Sequence, residues 1–151
     1  MRASAALLLV LLVAAPATAA GPTDIARVDD YIDAPRALFG RTRAELERRL
    51  GAPVSERSRP DGVALSWPGL DVTVSRSARV AAVVVHAAGR PLPLGLDVGT
   101  PRARVEAVLG SASEMTDERY FYLDADGFPN SVEFFFRDGR VTRIEWRFWT
   151  E

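Results

Sequence analysis

Apolar and polar positions alternate along the last third of the chain. Val132, Phe134 and Phe136 share one parity, and Ile144, Trp146 and Phe148 share one on the next run. A period of two predicts half-buried strands. Asp138-Gly139 between the runs predicts a tight hairpin. The same criteria predict strands at Val63–Trp67, Leu70–Val74 and Val80–Ala87, then at Arg119–Leu123, Val132–Arg137 and Val141–Trp149. Turn residues separate them at Pro68-Gly69, Arg76-Ser77-Ala78 and Asp126-Gly127 with Pro129-Asn130.

Two short segments switch to helical spacing. Residues 39–53 read FGRTRAELERRLGAP and residues 98–112 read VGTPRARVEAVLGSA. At an offset of 59, Gly40/Gly99, Arg43/Arg102, Ala44/Ala103, Glu47/Glu106, Leu50/Leu109 and Gly51/Gly110 are identical. Thr42 with Glu45 forms a capping box, Leu46 and Leu50 share a face, and Gly51 ends the helix. In the second segment Thr100 is the expected cap, with Pro101 at the first helical position and Gly110 at the end. Helices of two to three turns are unstable alone, so each must lie on a sheet.

The expected fold is therefore α+β. It has two tandem repeats of a short helix followed by about three antiparallel strands, with the helices packed on one face of the sheet. The first repeat is placed at 38–88 and the second at 96–151, both forming one domain, with a Pro- and Gly-rich linker at 89–95. Residues 20–37, acidic and punctuated by Pro22 and Pro35, are expected as an N-terminal arm; the weak helical spacing of Ile25, Val28 and Ile32 leaves a short helix open.

The first 19 residues look like a signal peptide. Arg2 is basic, Leu7–Val13 is apolar but too short to span a bilayer, and Ala17-Thr18-Ala19 fits a cleavage site. The mature chain is expected to begin near Ala20, periplasmic or secreted, with no membrane anchor. The absence of cysteine excludes a lipoprotein anchor at that point and any disulfide.

Composition narrows the chemistry. The formal charge is −1, or −2 once Arg2 leaves with the leader, which gives no electrostatic reason to bind nucleic acid. One histidine and no cysteine exclude Cys/His nucleophiles and thiolate metal sites. No G-x-S-x-G elbow accompanies His86, whose place in a strand pattern already explains it. Asp124-Ala125-Asp126-Gly127 begins like a calcium loop, but Phe128 and Pro129 stand where a ligand and the loop glycine belong, so a turn is expected. No catalytic residue, cofactor or metal site is assigned.

The outward parity of the last hairpin carries the functional expectation. It presents Glu133, Phe135, Arg137, Arg143, Glu145, Arg147 and Trp149. Aromatics beside arginines are enriched at protein interfaces and their hot spots. These residues are the expected partner-binding set, with Glu133 and Glu145 fixing register. The matching face of the first half reads Ala82, Val84 and His86, which is small and smooth.

The pattern Gly-x-x-Arg-x-x-Val/Leu-x-x-x-Leu-Gly, followed by strands ending in Asp-Gly-Arg-Val-x-x-Ile, resembles the SmpA/OmlA (BamE-like) domain and the β-lactamase inhibitory protein. Leu96–Gly110 and Phe134–Trp146 carry it in the second half, and Gly40–Pro53 with Arg79–Val85 in the first. The resemblance implies helix-plus-sheet units joined into one continuous sheet with a concave protein-binding face. It also implies a non-catalytic role in envelope protein assembly or enzyme inhibition. A small-ligand or peptide sensor, binding between helices and sheet, is the alternative.

Overall fold

The computed structural model describes residues 19–125 and 129–150. The expected leader, apart from Ala19, lies outside the described residues, as does the Asp126-Gly127 part of one expected turn. Among the described residues there are three α-helices, α1 (Ile25–Phe39), α2 (Arg43–Leu50) and α3 (Arg102–Leu109). The strands are β1 (Ser55–Arg59), β2 (Gly62–Trp67), β3 (Leu70–Ser75), β4 (Val80–Val85), β5 (Glu114–Met115), β6 (Arg119–Leu123), β7 (Ser131–Arg137) and β8 (Arg140–Arg147).

The expected fold class is corrected. The eight strands form one antiparallel sheet in the order β1-β2-β3-β4-β8-β7-β6-β5, accompanied by three helices. Two tandem units of about three strands are not what the chain builds. Two strands escaped the sequence reading for physical reasons. β1, SERSR, is exposed along its whole length, so burial imposes no hydrophobic period on it. β5 has only two residues. At the centre β4 and β8 pair antiparallel from Ala82↔Arg147 to Val85↔Ile144.

Segment 25–39, expected within an arm with a short helix left open, is the longest helix among the described residues. Asp24 caps it by accepting the Arg27 N–H, and it buries Val28, Tyr31, Ile32 and Phe39. Tyr31 is fully buried, its ring stacked 5.5 Å from both Phe134 and Trp146. Its hydroxyl donates to the Leu96 carbonyl at 2.8 Å, just past the expected linker. In α2 the Thr42 side chain accepts from the Glu45 N–H as expected, while the Glu45 carboxylate reaches back to the Arg41 N–H. α3 departs from expectation: Pro101 is its cap, and Thr100 Oγ1 accepts from the Asp97 N–H instead.

All three helices lie on one face of the sheet. α1 does so through the Tyr31 stack. The Trp67 indole N–H donates to the carbonyl of Gly51, just past α2, and the Tyr122 hydroxyl to that of Gly110, just past α3. The inward positions expected from alternation (Val72, Val74, Val83, Val85, Val132, Phe134, Phe136, Ile144, Trp146 and Phe148) are all buried there. The hairpin at Asp138-Gly139 has positive φ at both residues, 52° and 71°, as a primed two-residue turn requires.

Candidate functional site

Alternation leaves the other face of the sheet to polar and small side chains, and it divides into two halves. Over β5 to β8 an ionic ladder crosses the strands. Glu114 pairs with Arg119 at 2.6 Å, and Arg119 with Glu133 at 3.2 Å. Arg147 lies 3.9 Å from Glu133 and 2.7 Å from Glu145. Arg143 approaches Glu145 at 3.9 Å and sits 3.9 Å from the centroid of the Phe135 ring. Glu133 and Glu145 are register partners, directly opposite one another. Like charges in that position repel, and the surrounding arginines offset the repulsion.

The other half is a groove. Its floor is Ala64, Thr73, Ala82 and Val84, all half-buried and short. Arg57 and Arg59 stand on the β1 side, and Glu145 and Arg147 on the β8 side. The enclosed space is about 620 Å³. Long charged side chains on the outer and central strands, with alanines between them, create the depression. At its end His86 pairs with Asp71 at 3.2 Å, both half-exposed.

The structure therefore brings Glu133, Phe135, Arg143, Glu145 and Arg147 together on the open face. Two members of the expected set stand apart. Arg137 lies past a bulge, where the register steps from Phe135↔Arg143 to Phe136↔Val141, and it lines a separate depression beside Arg102 and Asp117. Trp149 lies beyond the end of β8, with Arg36, Arg41 and Arg79 around it. Arg57 and Arg59 were missed because β1 carries no hydrophobic period. The small outer residues Ala82 and Val84 were the available signal for a depression.

Two tyrosines buttress the far side of the sheet under the ladder. Tyr120 bonds to Glu106 on α3, and burial together with that bond pushes its hydroxyl up to about 12. Burial likewise raises Tyr122. Among the described residues no group of His, Cys, Asp or Glu is arranged to hold a metal ion.

No protein-family model matches the chain, and no curated protein matches it. Two solved structures share its fold. One is an extracellular protein containing an SCP domain from Bacillus anthracis str. Ames, at 9% identity and a TM-score of 0.52 over 93% of this chain. This chain spans only 50% of that protein. The other is a DUF4309 family protein (YjgB) from Bacillus subtilis subsp. subtilis str. 168. It has 13% identity and a TM-score of 0.52 over 82% of this chain and 99% of its own. Neither description names the SmpA/OmlA domain or the inhibitory protein that the sequence motif resembles.

Proposed function

We propose that this chain is a secreted, non-catalytic binding module that takes a protein partner on the open face of its sheet, in envelope assembly or enzyme inhibition. The observation that carries the reading is the uncovered groove beside an ionic ladder on one continuous surface. Exposed ion pairs contribute only about 0.2–1 kcal/mol each, so stability alone does not account for so many charges there. The size also fits. Strands totalling 45 residues, at about 3.3 Å per residue and about 4.8 Å apart, present on the order of 700 Å². A standard interface takes about 800 Å² from each partner.

The location rests on the leader-like N-terminus. Among the described residues no helix is long and apolar enough to cross a membrane, which leaves that reading open. Protein made with its leader and recovered outside the cytoplasm should begin at Ala20, which N-terminal sequencing reads directly.

In-cell cross-linking tests the binding reading. The wild-type chain should capture one dominant protein partner. Ala82→Arg, which fills the groove floor, and Phe135→Ala with Arg143→Ala should each reduce that capture at least tenfold while thermal stability changes little. Capture that persists in the filled-groove variant, or no dominant partner at all, overturns the proposal.

A further inference from the structure

The Trp149 cluster is a different place with a different chemistry. It forms where the last turn of α1, the start of β4 and the segment after β8 meet. Arg36, Arg41, Arg79, Val80, Trp149 and Thr150 enclose about 100 Å³. That is roughly three waters' share of liquid volume at ~30 Å³ each, room for one small polar group.

Arg36 is held in place. Its guanidinium lies 4.2 Å from the centroid of the Phe148 ring and 3.6 Å from Asp33. Burial lowers its affinity for the proton, Asp33 opposes that shift, and the nearby charges of Arg41 and Arg79 lower it further; Asp124 adds a raising influence. Three guanidiniums face one small space, and among the described residues Asp33 and Asp124 are the opposing charges nearby. Arg41 and Arg79 are exposed and form no ion pair with any described residue. Trp149 is 57% exposed, and its backbone N–H is anchored to Asn130 Oδ1 at 3.0 Å. Converging like charges without enough counter-charge are relieved by an anion, and the planar guanidinium fork matches oxyanions in two-point contact.

We propose that Arg36, Arg41, Arg79 and Trp149 form an oxyanion-binding site, separate from the open face of the sheet. Arg36 is the fixed donor, Arg41 and Arg79 close on the ligand from solvent, and Trp149 supplies a flat wall. The ligand is a phosphate, sulfate or carboxylate group, free or on a small molecule.

Trp67 and Trp146 are buried, so the red edge of tryptophan emission reports on Trp149. The full chain is titrated with inorganic phosphate, with acetate, and with chloride at matched ionic strength. Phosphate or acetate should give a saturable change with Kd on the order of 1 mM. Saturation by phosphate alone assigns a tetrahedral anion, and by acetate a carboxylate; either supports the site. Arg41→Gln with Arg79→Gln should weaken binding at least tenfold. The charge-matched control, Arg104→Gln with Arg140→Gln, exposed and outside both the groove and this cluster, should leave it unchanged. Ligand-dependent thermal stabilisation provides a second readout. A chloride response equal to that of phosphate and acetate, or equal losses in both double variants, overturns the proposal.

Discussion

The indole N–H of Trp146 on β8 donates to the backbone carbonyl of Tyr31 on α1 at 3.0 Å. That carbonyl is the one left over by Pro35, which sits inside the helix and has no N–H to return to the residue four positions earlier. A proline that would otherwise weaken α1 is thus tied to the centre of the sheet, and both groups are buried.

The tie makes a double-mutant cycle informative. Trp146→Phe should destabilise the protein by about 1–3 kcal/mol through the lost bond and the orphaned carbonyl. Pro35→Ala restores an N–H for Tyr31 within the helix. The same Trp146 substitution should then cost clearly less in the Pro35→Ala background, as read by denaturant unfolding.

The tyrosines predict an alkaline signature. The chain has three, at 31, 120 and 122, and burial raises all of them above the ordinary value of 10.0. A raised folded-state pKa means the unfolded chain loses its protons first as pH rises. The stabilisation is complete below pH ~10 and is lost as pH climbs toward the folded values. Absorbance of the phenolate should show no titration near pH 10, with Tyr120 first at about 12 or on unfolding.

Glycine substitutions should separate two helix ends. Gly110 follows α3 with φ of 74°, and a Cβ there would meet the Pro22 carbonyl oxygen at 2.0 Å. Gly51 follows α2 with φ of 79° but faces open space. With ψ of −173°, Gly51 sits in a backbone region that is essentially reserved for glycine, so Gly51→Ala should cost about 1–3 kcal/mol, the backbone penalty alone. Gly110→Ala should cost at least twice as much and detach the N-terminal segment, seen as faster proteolysis around residues 20–24. Ser111 N–H to Gly21 O, Asp24 N–H to Leu109 O and the Thr23 hydroxyl to Ser111 O are among the bonds that hold it.

On the open face, Arg119→Met removes the closer counter-charge from Glu133, whose exposure is only 8%. Arg147 at 3.9 Å remains as a weaker partner. We expect a loss of about 1–2 kcal/mol, less than for a fully buried pair because Arg119 is half-exposed. Glu133→Gln in the same background should recover part of it. Chemical denaturation of the single and double variants checks both.

The readability of this fold tracked burial. Where one face of a strand meets the helices, as in β3, β7 and β8, alternation named the inward residues correctly. β1 has no buried face, and its sequence accordingly carried no strand signal. Parity along β8 slips at the bulge near Thr142, which buries Val141 on the side opposite to that expected from Arg143. The helical spacing of Ile25, Val28 and Ile32 was weak because Pro35 and four aspartates masked a face that Tyr31 and Phe39 complete. The open-face ladder was visible as a parity class. The groove showed only as the small outer residues Ala82 and Val84, because its walls come from β1 and β8, far apart in sequence, and the arginines around Trp149 could not be read for the same reason.

The groove has unequal walls. Glu145 and Arg147 stand on a strand flanked on both sides at the middle of the sheet, so their backbone should exchange hydrogen only when the whole sheet opens. Arg57 and Arg59 stand on the outermost strand, paired on one side and tied to α2 by the Arg43–Glu56 contact. If the groove takes a partner as proposed, its β8 wall is the fixed jaw and its β1 wall the one expected to yield, so that occupants of different breadth would be met by the edge strand without disturbing the core.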